Sequence, residues 1–261
     1  MPNAYHKIES LVTFAKLYDE IKIKLINKKF NKITFSGKFA KGIGKNNTIT
    51  KLLKLLEKKN LLKNKKFYID IKKNIPQKSG LGGGSMNAAS ILKYFVKKKI
   101  INISEKKIEK LAYKIGSDVP LGLKRKNSIL LKNRRILRLN CKTNFYVLIV
   151  KPNFGCSTKK IYSSLTKYSK SHYTNRNLAF FKKKNLLKSN NSLENVVFKK
   201  YPKINKLKYF LLTIPKITFV RMTGSGSSIV AYFESKNAVN AAAKIFRKKY
   251  KNYWYIVSKT I

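Results

Sequence analysis

The sequence predicts an α+β protein in two domains, with a boundary near residue 143. Three observations carry this. Strand-like alternation and helix-like periodicity both occur, but without a regular strand–helix alternation. The character of the chain changes beyond a short apolar run at residues 145–151. The length, 261 residues, suits one large domain or two smaller ones, and is ample for a buried core.

Each element has its own justification. Ile21, Ile23 and Leu25 alternate with Lys22 and Lys24, the period of a half-buried strand. Ile49, Leu52, Leu53 and Leu56 share one face of a helix over residues 47–58, with Asn47 or Thr48 as the N-cap. Phe67, Ile69 and Ile71 alternate with Tyr68, Asp70 and Lys72, giving a second strand. Helices follow over residues 85–98 and from Ser104, where Ile108, Leu111 and Ile115 keep the helical period. Residues 129–139 read as a hairpin turning near Lys132-Asn133, and 145–151 as a short buried strand. Residues 165–192 are polar and weakly periodic, so they are either a mobile segment or a poorly patterned helix. Strands at 217–222 and 229–233, a helix at 238–247 and a strand at 254–258 complete the chain.

Composition excludes several classes. The chain carries 60 basic and 10 acidic residues, a formal charge of +50. At 43% hydrophobic and 12% aromatic it is too apolar for a disordered polycation. No apolar run approaches the roughly 20 residues of a spanning helix, and MPNAYHKIES lacks the apolar stretch of a signal peptide. A soluble protein of the cytoplasm, with no membrane partner, is expected. The charge invites a nucleic-acid reading. Yet 53 of the basic residues are Lys and 7 are Arg, whereas base and phosphate readers favour the bidentate Arg fork. Lys is also spread through every segment, beside abundant Asn, Ile, Tyr and Phe, all with A/T-rich codons. Compositional drift and a polyanion-binding role both remain open, and nucleic acid is not the partner expected. Cys141 and Cys156 form no CxxC, and His6 and His172 lie far apart, so neither a metal site nor a disulfide is expected.

The strongest local signal is a glycine-rich loop: Pro76, Gln77, Lys78, Ser79, Gly80, Leu81, Gly82, Gly83, Gly84, Ser85, Met86 and Asn87. It leaves a strand and runs straight into a helix. Glycine costs backbone entropy, so four glycines in five positions imply a geometry that needs them. Without Cβ atoms, backbone N–H groups can approach an anion closely. The helix start adds free N–H donors and positive dipole charge. The bland reading is a flexible turn. No Gly-Lys-Ser/Thr follows, so it is not a Walker loop, and it does not open a dinucleotide-binding unit.

The motif PxxxGLGGGSxNAA resembles the ATP-binding motif of the GHMP small-molecule kinases. The GLGGGSxNAA form is similar to the branch acting on a cytidine diphosphate ester of methylerythritol, in non-mevalonate isoprenoid synthesis. Further ordered matches support the resemblance along nearly the whole chain: Tyr5-His6 through Leu11, Asn47-Thr48-Ile49, Gly116-Ser117-Asp118-Val119-Pro120, Lys151-Pro152 through Thr158, Asn191 through Asn195, and Met222-Thr223-Gly224-Ser225-Gly226. The implied fold is an N-terminal ATP-binding domain, residues 1–143, similar to the second domain of ribosomal protein S5. A ferredoxin-like C-terminal domain follows at 144–261. The implied reaction is ATP-dependent phosphorylation of the substrate's 2-hydroxyl, with Mg²⁺, by a monomer or homodimer.

The resemblance also implies roles. Asp118 is the only acid between Glu109 and Glu194. On chemistry alone it is equally a turn or cap residue. The resemblance makes it the catalytic residue, taking the proton of the attacking hydroxyl, and a basic surround is expected to keep it ionised. Residues 76–87 become the ATP loop, with Ser85 available to Mg²⁺. Tyr5, His6, Thr158 and Tyr162 fall on the cytidine side, with Tyr162 in place of the usual Phe, and Lys73 reaches ATP or the substrate diphosphate. Thr223-Gly224-Ser225-Gly226 reads both as a hairpin turn and as a wall of the substrate site.

The sequence departs from the family at three further points. Val12 stands where an aromatic is common, and Ser192 stands where Asp is usual. The family's first strand, with a lysine that partners the catalytic Asp, lies some 15–20 residues ahead of the Tyr5-His6 motif; this chain starts four residues before Tyr5. The lysine is therefore not in this chain: either the start codon lies further upstream, which is the favoured reading, or another lysine replaces it, or the protein is inactive. Two other functions stand beside the first. One is a GHMP kinase for another small hydroxyl compound. The other is a basic RNA-binding protein, which leaves Asp118 and the glycine-rich loop unexplained.

Overall fold

The structure is a computed structural model that describes residues 9–165, 173 and 177–261. Its elements run β1 (Ser10–Val12), β2 (Glu20–Ile26), β3 (Lys32–Ser36), α1 (Thr48–Lys58), β4 (Lys66–Lys72), α2 (Gly83–Lys97), α3 (Glu105–Ile115), α4 (Val119–Leu123), β5 (Ser128–Leu130) and β6 (Ile136–Arg138). They continue with β7 (Tyr146–Lys151), α5 (Thr158–Ser163), a 3-10 turn (Leu178–Phe181), α6 (Lys183–Lys188), α7 (Glu194–Lys200), α8 (Pro202–Leu212), β8 (Phe219–Met222), β9 (Ile229–Phe233), α9 (Lys236–Lys249) and β10 (Trp254–Lys259). The mixed order is that of an α+β protein, as expected.

The chain forms two compact units. The inserted unit comprises Leu17–Gln77 and Gly82–Arg125. Its sheet has the order β2-β4-β3, with β2 antiparallel and β3 parallel to β4. The inward residues Phe67, Ile69 and Ile71 of β4 are buried with Leu52 and Leu56 of α1 and Ile91, Leu92 and Phe95 of α2. The alternation along β4 thus places one face in the core, and the helical period of α1 delivers the matching stripe. Asn47 caps α1, its side chain accepting from the N–H groups of Ile49 and Thr50 at 3.0 Å. Ser104 caps α3 through Lys107 N–H at 3.4 Å.

The flanking unit comprises the described residues up to Lys16, Lys78–Leu81 and Lys126–Ile261. A four-stranded antiparallel sheet has the order β10-β7-β9-β8, and a smaller one the order β1-β5-β6. Leu148 and Val150 of β7, Ile229 and Ala231 of β9, and Leu207 and Phe246 of α8 and α9 share its main core. The β5–β6 hairpin turns at Asn133-Arg134, where Arg134 takes φ +65°, one residue past the expected turn. Within the region left open, Leu178–Phe181 form a 3-10 turn and Lys183–Lys188 a short helix, while residues 166–172 and 174–176 lie outside the described residues. Among the described residues, no helix is long and apolar enough to cross a membrane.

Candidate active site

In the inserted unit the glycine-rich loop opens α2 at Gly83, two residues earlier than the sequence suggested. The break is set by Gly82, in the left-handed region at φ +69° and in open space. No side chain caps α2, so its leading N–H groups are free of the usual competitor. That is the arrangement that receives an anion. Gln77 does a different job: its Nε2 donates to the carbonyls of Phe39 and Lys41 at 2.8 and 2.9 Å, anchoring the loop's entry. Thr48 Oγ1 donates to the Gly84 carbonyl at 3.0 Å, tying the first turn of α2 to α1. Ser85 is half-buried in that turn.

Asp118 precedes α4, which packs on α2. The packing is close because of Gly122: a Cβ there would lie 2.6 Å from Ala89 Cβ and 3.0 Å from Met86 Sδ. Val119 and Pro120 are buried beside it. Asp118 stands at the N-cap position of α4, yet its side chain makes no capping bond. Among the described residues its hydrogen-bond partner is the Ser117 hydroxyl, which donates at 3.3 Å. The carboxylate is therefore not consumed as a cap. The surrounding protein strips away enough water to push its pKa above the ordinary value, and the Ser117 hydrogen bond opposes this. The expected influence of a basic surround is not the leading one: desolvation is, although the residue as a whole is exposed.

Lys73 was expected to reach a ligand. Its side chain is instead 6% exposed, with the ammonium ion-paired to Asp19, whose side chain is fully buried. Asn87 Nδ2 donates to the same carboxylate at 2.8 Å, so Asn87 is held by protein as well.

The flanking unit gathers Lys78–Leu81, Thr158, Tyr162 and the second glycine turn. That turn does join two antiparallel strands, β8 and β9. Residues 78–81 lie against it: Thr223 Oγ1 donates to the Gly80 carbonyl at 3.0 Å, and Ser228 N–H to the Ser79 carbonyl at 3.1 Å. Gly80 takes φ +73°, and a Cβ there would meet the Thr223 carbonyl at 2.2 Å. Thr158 Oγ1 and Ser225 Oγ share a hydrogen bond of 2.9 Å, and Tyr162 packs half-buried on the core. Tyr5 and His6 lie outside the described residues.

Sequence reasoning matched Asn191 through Asn195 to the family but gave no role to the two that mount the second glycine turn. Asn191 Nδ2 donates to the carbonyls of Met222 and Gly224, both at 2.8 Å. Buried Glu194 accepts from Met222 N–H at 2.8 Å and pairs with Lys208 at 2.5 Å. Ser192 between them is exposed, so its departure from Asp touches no mount. The available signal was scarcity. In a chain with ten acids, Asp19 and Glu194 stand out as Asp118 does.

Comparison with known proteins completes the picture. Residues 47–124 match the GHMP kinases N terminal domain and residues 175–252 match the GHMP kinases C terminal domain. A 4-diphosphocytidyl-2-C-methyl-D-erythritol kinase of Pelagibacter ubique is 50% identical over 256 residues, covering 98% of this chain and 91% of its own length. Among solved structures, a 4-(cytidine 5'-diphospho)-2C-methyl-D-erythritol kinase shares the fold at TM-score 0.76 and 20% identity, over 97% of this chain and 89% of its own. A homoserine kinase of Cytophaga hutchinsonii shares it at TM-score 0.69 and 17% identity, over 93% and 85%.

Proposed function

This chain belongs to the 4-diphosphocytidyl-2-C-methyl-D-erythritol kinase family of GHMP kinases, and on that premise we propose how its residues perform the reaction. The enzyme transfers the γ-phosphoryl group of ATP to the 2-hydroxyl of 4-diphosphocytidyl-2-C-methyl-D-erythritol, a step of isoprenoid precursor synthesis. The observation that carries the site assignment is in the inserted unit: an uncapped helix start behind a glycine-rich loop, with Asp118 fixed to that same helix through α4.

Phosphoryl transfer asks chiefly for positioning and charge stabilisation. Backbone N–H groups at the start of α2 hold the phosphate chain. Asp118 accepts the proton as the substrate oxygen bonds to the γ-phosphorus and the bond to the ADP oxygen breaks. A carboxylate with only one hydroxyl partner has lone pairs left for that proton. Mg²⁺ accompanies the nucleotide in this reading. It would neutralise charge on the phosphates, and the Ser85 hydroxyl would offer it one hard oxygen. Thr158, Tyr162 and residues 224–226 form the substrate side, joined by Tyr5 and His6. The division near residue 143 into ATP-binding and C-terminal domains lies between the two family matches, whereas the compact units change over at Arg125–Lys126. The free thiols of Cys141 and Cys156 fit a reducing cytoplasm.

The test is Asp118→Asn. Turnover should fall by about 10²–10⁴-fold, with ATP affinity kept. Retained turnover would reject the role of Asp118. A panel of hydroxyl acceptors tests the substrate, and preference for one lacking cytidine would reject that part.

A further inference from the structure

The glycine-rich loop has a mount that its own sequence does not show. At its centre is Asp19, in the inserted unit, with a side chain at 0% exposure. Oδ1 accepts from the backbone N–H groups of Asn74 at 2.7 Å and Ile75 at 2.8 Å. Oδ2 accepts from Asn87 Nδ2 at 2.8 Å and meets the Lys73 ammonium. Four donors fill the roughly four acceptor sites of a carboxylate. Lys73 supplies the charge without which a carboxylate could not stay buried.

The donors are not scattered. Asn74 and Ile75 are the last residues before Pro76, where the loop begins. Asn87, the last residue of the loop motif, lies on α2. One carboxylate therefore grips the chain at both ends of the loop. Such a grip fixes the spacing between the exit of β4 and the start of α2, and with it the direction of the free N–H groups. We propose that Asp19 is a positioning residue for ATP, setting the geometry of the glycine-rich loop through Asn74, Ile75 and Asn87, with Lys73 as its counter-charge and not as a ligand contact. This rests on reading the loop as the ATP site. The same geometry distinguishes it from a general core brace, because every contact of Asp19 falls at one end of the loop or the other.

The experiment uses the full chain with Asp19→Asn, Lys73→Met and the double variant, measuring kcat, both KM values and melting temperature. Asp19→Asn should raise the KM for ATP about tenfold or more, a loss of about 1.4 kcal/mol of binding. The KM for the cytidyl substrate should stay within about twofold, since the other pocket is untouched. The double variant removes both buried charges, so it should melt above Asp19→Asn while its KM for ATP stays raised. If Lys73 were a ligand contact, Lys73→Met alone would raise the KM for ATP and Asp19→Asn would not; that result overturns the proposal. So does a fall in kcat with both KM values unchanged, or a parallel rise in both. Failure of every variant to fold also overturns it, because Asp19 would then be a brace of the core. A wild-type chain that does not use ATP would sink the loop reading itself, whereas a wild type that turns over beside an unaffected Asp19→Asn sinks only this inference.

Discussion

Asp118 shows what one residue type reveals and what it conceals. Its candidacy was legible, because a lone acid between Gly116 and Pro120 stands out in a chain with ten acids. Its environment was not, because desolvation depends on atoms brought in by α2 and α4. Burial raises its pKa, and two consequences follow. First, the acid limb of kcat/KM should lie above the ordinary Asp range near 3.9, since the base must be ionised to take a proton. A pH–rate profile checks this, and a limb at or below the ordinary value would contradict it. Second, the sign of linkage is set. A carboxyl whose folded pKa is raised contributes stability below its unfolded pKa. That contribution is lost as pH rises through the folded value. At neutral pH the ionised group therefore weighs against the fold, and Asp118→Asn should melt at a higher temperature than wild type at pH 7 while losing turnover. An unchanged or lower melting temperature would count against a desolvated carboxylate. Lys73 teaches the converse: among 53 lysines nothing in the sequence marks the one paired in the interior with Asp19.

Among elements, legibility followed contrast. β2, β4, α1 and α3 carry clean alternation or clean helical spacing, β9 is a short unbroken apolar run, and all appear close to the expected residues. β1 and α4 are too short, at three and five residues, for a period to show. β3 reads KITFS, with one residue of clear polarity at each end and little alternation between. α8 keeps Ile204, Leu207 and Leu211 on its buried face, but Tyr209 and Leu212 are exposed on the other side, which blurs the stripe. The glycine-rich loop was legible as a ligand loop, while the division of labour among its glycines was not. Gly80 and Gly82 share a left-handed backbone, but only Gly80 is crowded, with the Thr223 carbonyl 2.2 Å from a Cβ. Gly82→Ala should therefore cost about 1 kcal/mol of conformational strain. Gly80→Ala adds a clash with backbone that cannot yield, and should exceed about 3 kcal/mol. Thermal melts of the two variants decide it, since equal losses would show that the turn at 223–226 does not clasp residue 80.

For the whole molecule, the charge of +50 sets an electrostatic problem that the acids do not solve. Asp19, Glu20, Glu57, Glu105, Glu194 and Glu234 are each in an ion pair with a lysine, but ten acids cannot pair one to one with 53 lysines. Mutual repulsion weakens a compact state, and added salt screens it, with a Debye length of about 30 Å at 0.01 M falling to about 8 Å at 0.15 M. Melting temperature should accordingly rise over that interval, the reverse of a protein held by surface ion pairs. The same field attracts any polyanion, so RNA should bind at low salt. If that binding is only counter-ion release, a contact with 6–10 phosphates loses about 10³–10⁵-fold in affinity between 50 and 200 mM salt. Turnover at saturating substrate should persist across that range, because in the proposed reading the start of α2 holds the phosphates of ATP at short range. Filter binding and turnover, measured on one salt series, separate the two sources of the charge. An RNA complex that survives 200 mM salt would mean that the lysines serve a nucleic-acid partner. Its loss beside steady turnover would mean that they are compositional drift carried on the surface of a kinase.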